Sequence, residues 1–420
     1  MAGGANTFTT VSTLQKGYRK KATKLYTAFK DKVEEFSWID DIDDEDIIPS
    51  GRENLIPLDI GRGYGAHMVS DGGYEAATVT RAMNEGSFSF VQANARFYIS
   101  MFAKALDSRA KEAQIVRQVK YQSKKSLEAL ARRVALQFYG VSTGVVGQNV
   151  TGATATTQTL TLANAFGQSD LDDATYCSSL FEVGDRIGLI ASSALVTNAL
   201  GAITANAAGV LTVVFDGSVI AVNDASQSVV FANGVTDATI TGTDSGKWPT
   251  GLLSIIQDST HEGLATATEA NWAAARNNST GGRFSYVKLK KQRQAISNAS
   301  GGKMTDVIWS QGVENDVEAG ERADRIYDSS AMDLDGSIKA KGVTFRTSPL
   351  VPTGNVISFD RSGWGKKLLT DKPAEDGMLD FGDMYKAEDR SGLKGGFDLI
   401  YALVTRSRGK FARDYSLTEQ

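Results

Sequence analysis

The side chains able to do chemistry are few, and their spacing does not assemble a reaction centre. The chain has two histidines, His67 and His261, and one cysteine, Cys177. His261-Glu262 opens like a zinc-protease helix, but Ala265 stands where the second histidine belongs. Cys177 has no histidine near it in sequence to take its proton. Gly61-Arg62-Gly63-Tyr64-Gly65 lacks the third glycine spacing of a dinucleotide fingerprint, and neither Gly301-Gly302-Lys303 nor Gly363-Trp364-Gly365-Lys366 has the earlier glycine of a phosphate-cradling loop. Asp333-Leu334-Asp335-Gly336 resembles part of a calcium loop, yet Ala331 and Gly342 occupy the first-ligand and bidentate-Glu positions. Paired carboxylates for hydrolysis stay open, because acids are plentiful and geometry is invisible in a sequence. We therefore assign no catalytic, cofactor-binding or metal-binding residue and expect a chain that is not an enzyme and carries no cofactor.

Charge, by contrast, is organised in blocks. Residues 1–33 carry seven bases, among them Arg19, Lys20, Lys21 and Lys24, against the single acid Asp31, with Leu14, Tyr18, Leu25 and Phe29 as an apolar stripe. Residues 34–46 then hold eight acids, including Asp41, Asp43 and Asp44, and no base. Like-charge runs sit in solvent or against a complementary partner. Between Lys104 and Tyr139 there are nine bases (Lys104, Arg109, Lys111, Arg117, Lys120, Lys124, Lys125, Arg132 and Arg133) and three acids. This is either a solvated helix face or a sequence-blind attraction to phosphates. From Val150 to Gly246 there are nine acids and one base, Arg186.

The elements that carry these charges follow from periodicity. Val91, Ala93, Ala95, Phe97 and Ile99 alternate with polar residues, the pattern of a half-buried strand. After Ser108 the period changes to three and four through Ala113, Val116, Val119, Leu127, Leu130, Val134 and Phe138, with no Gly or Pro before Gly140. That predicts one amphipathic helix of roughly 48 Å, far longer than the globular mean. Residues 49–86 are glycine-rich and extended. Leu55–Ile60 is a candidate edge strand, where Pro57 is tolerated, and with the strand near Phe88–Ile99 it predicts a long projecting hairpin. Short β-type runs at Thr157–Leu162, Arg186–Ile190, Leu211–Phe215, Ser228–Phe231 and Ala238–Ile240 predict a small sandwich or barrel. Beyond Lys247-Trp248-Pro249 come a polar helix Phe284–Ala299, a strand Met304–Trp309, a helix Val313–Tyr327, strands Val343–Arg346 and Val356–Phe359, and an apolar strand Phe397–Thr405.

The 420 residues allow two or three domains, and a hydrophobic fraction of 41% supports sizeable cores. A net charge of −4 argues against a generic nucleic-acid binder, and one cysteine fits synthesis in a reducing compartment. No signal peptide and no run of apolar residues long enough for a membrane helix is evident.

The order of these elements resembles the major capsid proteins of tailed phages, the Johnson fold shared with encapsulins and herpesvirus capsid floors. The resemblance is carried by the basic arm, the extended loop and the long helix ending Leu130-Ala131-Arg132-Arg133-Val134-Ala135-Leu136-Gln137-Phe138-Tyr139-Gly140. Further along, Thr305-Asp306-Val307-Ile308-Trp309-Ser310, Ser348–Asp360 and Gly396–Val404 fit the same pattern. It covers residues 1–145 and 250–420. It implies an α+β fold with an N-terminal arm (1–48), an E-loop (49–100), a peripheral domain with spine helix (101–145), an inserted all-β domain (146–247), an axial domain (248–395) and a C-terminal strand (396–420) returning to the peripheral domain. The function it implies is a shell subunit that assembles into hexamers and pentamers around double-stranded DNA in a virion, made in a host bacterial cytoplasm. Implied partners are further copies of the chain, packaged DNA, a separate scaffold protein, a portal and a cement protein, with no membrane. The implied contacts between subunits use Arg19, Lys20, Lys21 and Lys24 of the arm, Arg62 and Arg81 of the loop, and Asp41, Asp43 and Asp44; the spine-helix bases would face the lumen. Some members join an E-loop Lys to an Asn of a neighbour, and here no Lys occurs between Val33 and Ala103. The alternatives are an encapsulin enclosing an enzyme cargo, or a hydrolase or surface-binding protein with a β accessory module.

Overall fold

The computed structural model describes residues 33–43, 46–50, 53–60, 84–100, 113–150, 156–191, 194–217, 227–232, 248–267, 269–280, 282–324, 342–368, 378–380, 385–386 and 392–419. The chain is α+β and divides into two units that interleave in sequence. The first comprises 1–42, 89–136 and 366–402; the second comprises 43–88, 137–365 and 403–420.

The first unit is built on one long antiparallel pair. Val91–Ser100 runs beside Gly392–Thr405 in continuous register, from Tyr401 opposite Val91 to Gly392 opposite Ser100. Alternation explains it: Ala93 and Phe97 are buried while Gln92, Asn94 and Tyr98 are exposed. Gly395 lies opposite Phe97, and a Cβ there would come within 2.5 Å of the Phe97 ring. The glycine leaves room for the aromatic side chain across the ladder. The spine helix, Ala113–Tyr139, begins in this unit. Its buried positions Leu127, Leu130, Ala131, Val134 and Ala135 recur every three or four residues, the stripe expected of a helix lying on a core.

In the second unit a three-stranded sheet orders Ile48–Ser50, Glu53–Leu58 and Asn84–Phe88. This corrects the predicted hairpin. The partner of the Leu55 strand is Asn84–Phe88, whereas Val91–Ser100 belongs to the first unit. Glu53–Leu58 is also the central strand rather than an edge. Pro57 is accommodated because the neighbouring short strand ends with Ile48 opposite Leu55, so no strand residue faces Pro57 on that side.

The acidic segment folds as a closed six-stranded barrel. Its order is Val210–Phe215, Thr157–Ala163, Val145–Asn149, Gln227–Phe231, Arg186–Ala191 and Ala194–Ala207. Closure leaves no unpaired edge. Four of its predicted strands are present, and the one at Ala238–Ile240 lies outside the described residues. The fourteen-residue strand Ala194–Ala207 was not predicted, because its Ala, Asn and Gly content is poor in β-formers.

Past the barrel, a mixed five-stranded sheet orders Ala275–Asn278, Phe411–Tyr415, Val356–Phe359, Asp306–Trp309 and Thr344–Thr347. Helices Tyr286–Ser300 and Gln311–Asp324 supply Leu289, Ile296 and Val313 to a core with Met304, Val307, Trp309 and Val356. The inner strand Phe411–Tyr415 corrects a second expectation. The chain end 396–420 is not one strand returning to the peripheral domain; it passes through two strands in two sheets.

Candidate functional site

Cys177 and His261, the catalytic candidates among the described residues, are buried in the core. Cys177 is fully buried, its thiol directed at the carbonyls of Val146 and Ala163 at 3.9 and 3.7 Å. Burial pushes that thiol up to about 12, so no thiolate forms at neutral pH. His261 is buried against Trp272, and its Nε2 sits 2.9 Å from Thr405 Oγ1. Glu262, beside it, accepts the Thr405 N–H through Oε1 at 2.9 Å. Glu262 Oε2 is buried without a hydrogen-bond partner and faces the backbone at Gly86, where a Cβ would lie 2.7 Å from it. Burial raises the Glu262 carboxyl to about 8. Burial, helped by the nearby Arg408 charge, lowers His261 to about 3. Both are therefore neutral at pH 7, a packed polar junction rather than an acid–base pair. Among the described residues, no group of three or more His, Cys, Asp or Glu side chains is arranged to hold a metal. His67, Gly61–Gly65 and Asp333–Gly336 lie outside the described residues.

Of the predicted inter-subunit contacts, Arg19, Lys20, Lys21, Lys24, Arg62, Arg81 and Asp44 also lie outside the described residues. Asp41 and Asp43 are exposed, as a solvated acidic run requires. The run is nevertheless held by bases of its own chain. Lys366 Nζ donates to the Ile39 carbonyl at 2.8 Å and stands 3.5 Å from the Asp41 carboxylate, while Lys367 Nζ donates to the Ile42 carbonyl at 3.0 Å. In the second unit Asp46 pairs with Arg406, and Asp59 stands 3.4 Å from Lys410.

Of the spine-helix bases, Lys104, Arg109 and Lys111 lie outside the described residues, and Arg117 and Lys120 sit on the helix. Lys124 and Lys125 are exposed and converge on Glu128, at 4.0 and 3.1 Å. Such surface pairs contribute about 0–1 kcal/mol each. Arg132 and Arg133 are half-buried.

The most elaborate polar site escaped the sequence. Asp170, in the barrel segment, reaches the five-stranded sheet. Its carboxylate accepts from the fully buried Arg413 at 2.9 Å, from Gln257 Nε2 at 3.0 Å and from Arg276 at 3.3 Å. Arg413 also donates through Nε to Asn355 Oδ1 at 2.7 Å and stacks 5.0 Å from the Tyr415 ring centre. Burial lowers Arg413 to about 10, still protonated at neutral pH. A second tie is Tyr176, whose hydroxyl donates to the Leu350 carbonyl at 2.6 Å. The only sequence signals were the acid cluster Asp170-Leu171-Asp172-Asp173 and a charged residue on the buried side of Phe411–Tyr415. The two ends of the barrel segment also meet. A Cβ on Gly251 would lie 2.4 Å from the Gly140 carbonyl oxygen and 2.6 Å from that of Gln137. Only glycine lets the returning chain pass against the carbonyl end of the spine helix.

No protein-family model matches the chain, and no curated protein matches it in sequence. Solved structures do. The Cyanophage A-1(L) capsid asymmetric unit matches with a TM-score of 0.47 at 11% identity, over 92% of this chain and 93% of that chain. A satellite phage P4 procapsid that includes the size determination (Sid) protein matches with a TM-score of 0.41 at 9% identity, over 94% and 90%. The holo-SrpI encapsulin complex from Synechococcus elongatus PCC 7942 matches over 40% of this chain and 56% of that chain, with a TM-score of 0.29 at 14% identity. Along nearly its whole length, then, this chain is similar to phage capsid structures.

Proposed function

We propose that the chain is the major capsid protein of a tailed double-stranded DNA phage, a non-enzymatic subunit that closes with its copies into hexamers, pentamers and an icosahedral shell. The observation that carries this reading is the ten-residue ladder between Val91–Ser100 and Gly392–Thr405, together with the 27-residue helix Ala113–Tyr139 that follows in sequence. The strand preceding the helix in sequence pairs along ten positions with one from far along the chain, and such a ladder supports an extended surface for contacts between copies.

In this reading residues 1–48 are the arm, 49–100 the E-loop, 101–145 the peripheral spine, 146–247 an inserted barrel and 248–395 the axial domain. Arm bases Arg19, Lys20, Lys21 and Lys24 and loop bases Arg62 and Arg81 meet acids of neighbouring copies. Asp41 keeps an exposed carboxylate for this beside Lys366. Lys104, Arg109, Lys111, Arg117, Lys120, Lys124, Lys125, Arg132 and Arg133 give a diffuse attraction to packaged DNA. Scaffold, portal and cement proteins complete the particle. The test is electron microscopy of the purified chain, with and without co-expressed scaffold. Closed particles are expected; compact monomers alone under both conditions would overturn the proposal. Nucleic acid inside particles from infected cells separates a genome shell from a compartment holding enzyme cargo.

A further inference from the structure

The helix Tyr286–Ser300 presents a basic, solvent-exposed face. It carries Lys288, Lys290, Lys291 and Arg293 and no acid. Leu289, Gln292 and Ile296 point into the core, while Lys290, Lys291 and Arg293 are exposed; Lys288 and Lys291 share the field of the Asp414 carboxylate, and Lys290 and Arg293 form no ion pair among the described residues. Its first turn contains no acidic residue, and Ser285 makes no side-chain cap. Cations at this end oppose the helix dipole, which favours anions there. The same turn exposes Val287 to 63% and Tyr286 to 45%, an apolar tip ringed by positive charge.

The barrel carries the complementary surface. Register places the turn Glu182–Asp185 and the end of Val210–Phe215 together, since Arg186 and Val214 both lie opposite Ala202. Val183 at this end is 63% exposed and Val214 39%. Glu182 and Asp216 are exposed beside them and Asp185 is half-exposed. The one base, Arg186, is taken by Asp216. Val183 and Val214 thus form an exposed apolar tip with carboxylates beside it.

We infer that the Tyr286–Ser300 helix of one copy docks its first turn onto the Glu182–Asp185 end of the barrel of a second copy. The inference rests on the assembly reading above. Carboxylates of the barrel then meet the helix at its positive end, and Val183 covers Val287. A contact between two different patches propagates around a ring instead of closing a dimer, as capsomers require. A phosphate backbone would satisfy the lysines but leave both valine tips in water, and so fits less of the surface.

The test uses the full chain in a particle-forming co-expression, with yield read by sedimentation and microscopy. Lys290→Glu with Lys291→Glu should lower particle yield at least ten-fold, and adding Glu182→Lys should restore most of it. Lys290→Gln with Lys291→Gln, a milder change, should shift particle dissociation to lower salt. Thermal melts confirm that the variants fold. Charge-reversed chains that assemble with wild-type yield and salt tolerance would overturn the contact while leaving the assembly reading intact. Wild-type yield with a lowered nucleic-acid absorbance ratio would also overturn it and assign the helix to phosphates. A wild-type chain that forms no particles would sink the assembly reading, and the contact with it.

Discussion

Arg413, with no side-chain exposure, donates to Asp170 at 2.9 Å across 243 positions of sequence, so a carboxylate from the barrel segment neutralises a cation on an inner strand of the five-stranded sheet. Breaking such a pair by removing one partner typically costs 3–5 kcal/mol, because the other charge is left buried and uncompensated. Asp170→Ala should destabilise the second unit by about 3 kcal/mol and lower its melting temperature by several degrees. Asp170→Ala combined with Arg413→Leu should lose less than the two single changes summed, which a double-mutant cycle by thermal or urea unfolding measures.

That pair also decides what happens when the barrel is excised. The chain on either side of the barrel meets at Gly140 and Gly251, so a short Gly/Ser linker can bridge these two positions. Excision alone strands Arg413 without its carboxylate and should give poorly soluble protein. Excision together with Arg413→Leu should recover soluble, cooperatively melting chain. Equal insolubility of both forms would show that the barrel holds the sheet by more than this ion pair.

Glu262 and His261 predict a stability maximum on the acid side of neutrality. Glu262 keeps its proton to about pH 8 when folded but loses it near 4.5 when unfolded. Between those values the folded chain binds the extra proton, so rising pH erodes stability. His261 stays neutral down to about pH 3 when folded and protonates near 6.5 when unfolded, so falling pH erodes stability over that window. The two slopes oppose each other between pH 4.5 and 6.5, where this cluster is most stable. Glu262→Gln should remove the decline from pH 6.5 to 8 and leave the acid limb in place. Melting curves from pH 4 to 9 read both limbs, and an unchanged alkaline limb would rule Glu262 out as its source.

Cys177 should resist alkylation. With its thiol pushed up to about 12 and its sulfur against Gly147, it should react with iodoacetamide at pH 8 only as fast as the barrel unfolds. Adding urea to the unfolding midpoint should accelerate labelling by orders of magnitude. Rapid labelling in buffer would mean that the barrel opens readily.

Mature particles should run on a denaturing gel as one band near the 44.9 kDa monomer. The loop bases Arg52, Arg62, Arg81 and Arg96 cannot act as amine nucleophiles, because a guanidinium stays protonated. A boiling-resistant ladder would reveal a covalent link made elsewhere in the chain.

Periodicity made the long elements legible. The long helix, the Val91–Ser100 strand, four barrel strands, the helices Tyr286–Ser300 and Gln311–Asp324 and the strands Asp306–Trp309, Thr344–Thr347 and Val356–Phe359 announced themselves through residue spacing. Partners were harder to read. Glu53–Leu58 was given the wrong neighbour because pairing depends on where a strand is interrupted, and Ser89-Phe90 looks no different from the residues on either side. Phe411–Tyr415 was missed because Arg413 and Asp414 look like surface residues, and their burial is explained only by Asp170 and the helices above them. Charge blocks gave the sign of each surface. Lys366 and Lys367, far along the chain, hold the stretch from Ile39 to Ile42 of the acidic run.

Gly251 against the Gly140 carbonyl has a consequence for descent as well as for packing. Because the detour 141–250 begins and ends at one spot, the path of the chain on either side does not depend on what fills it. A lineage could lengthen, shorten or replace the barrel at this doorway without rerouting the long helix or the five-stranded sheet. Asp170 is the bolt on that door. Once a carboxylate from the guest neutralises an arginine in the host, loss of the guest carries a penalty, and an optional ornament becomes an obligatory organ.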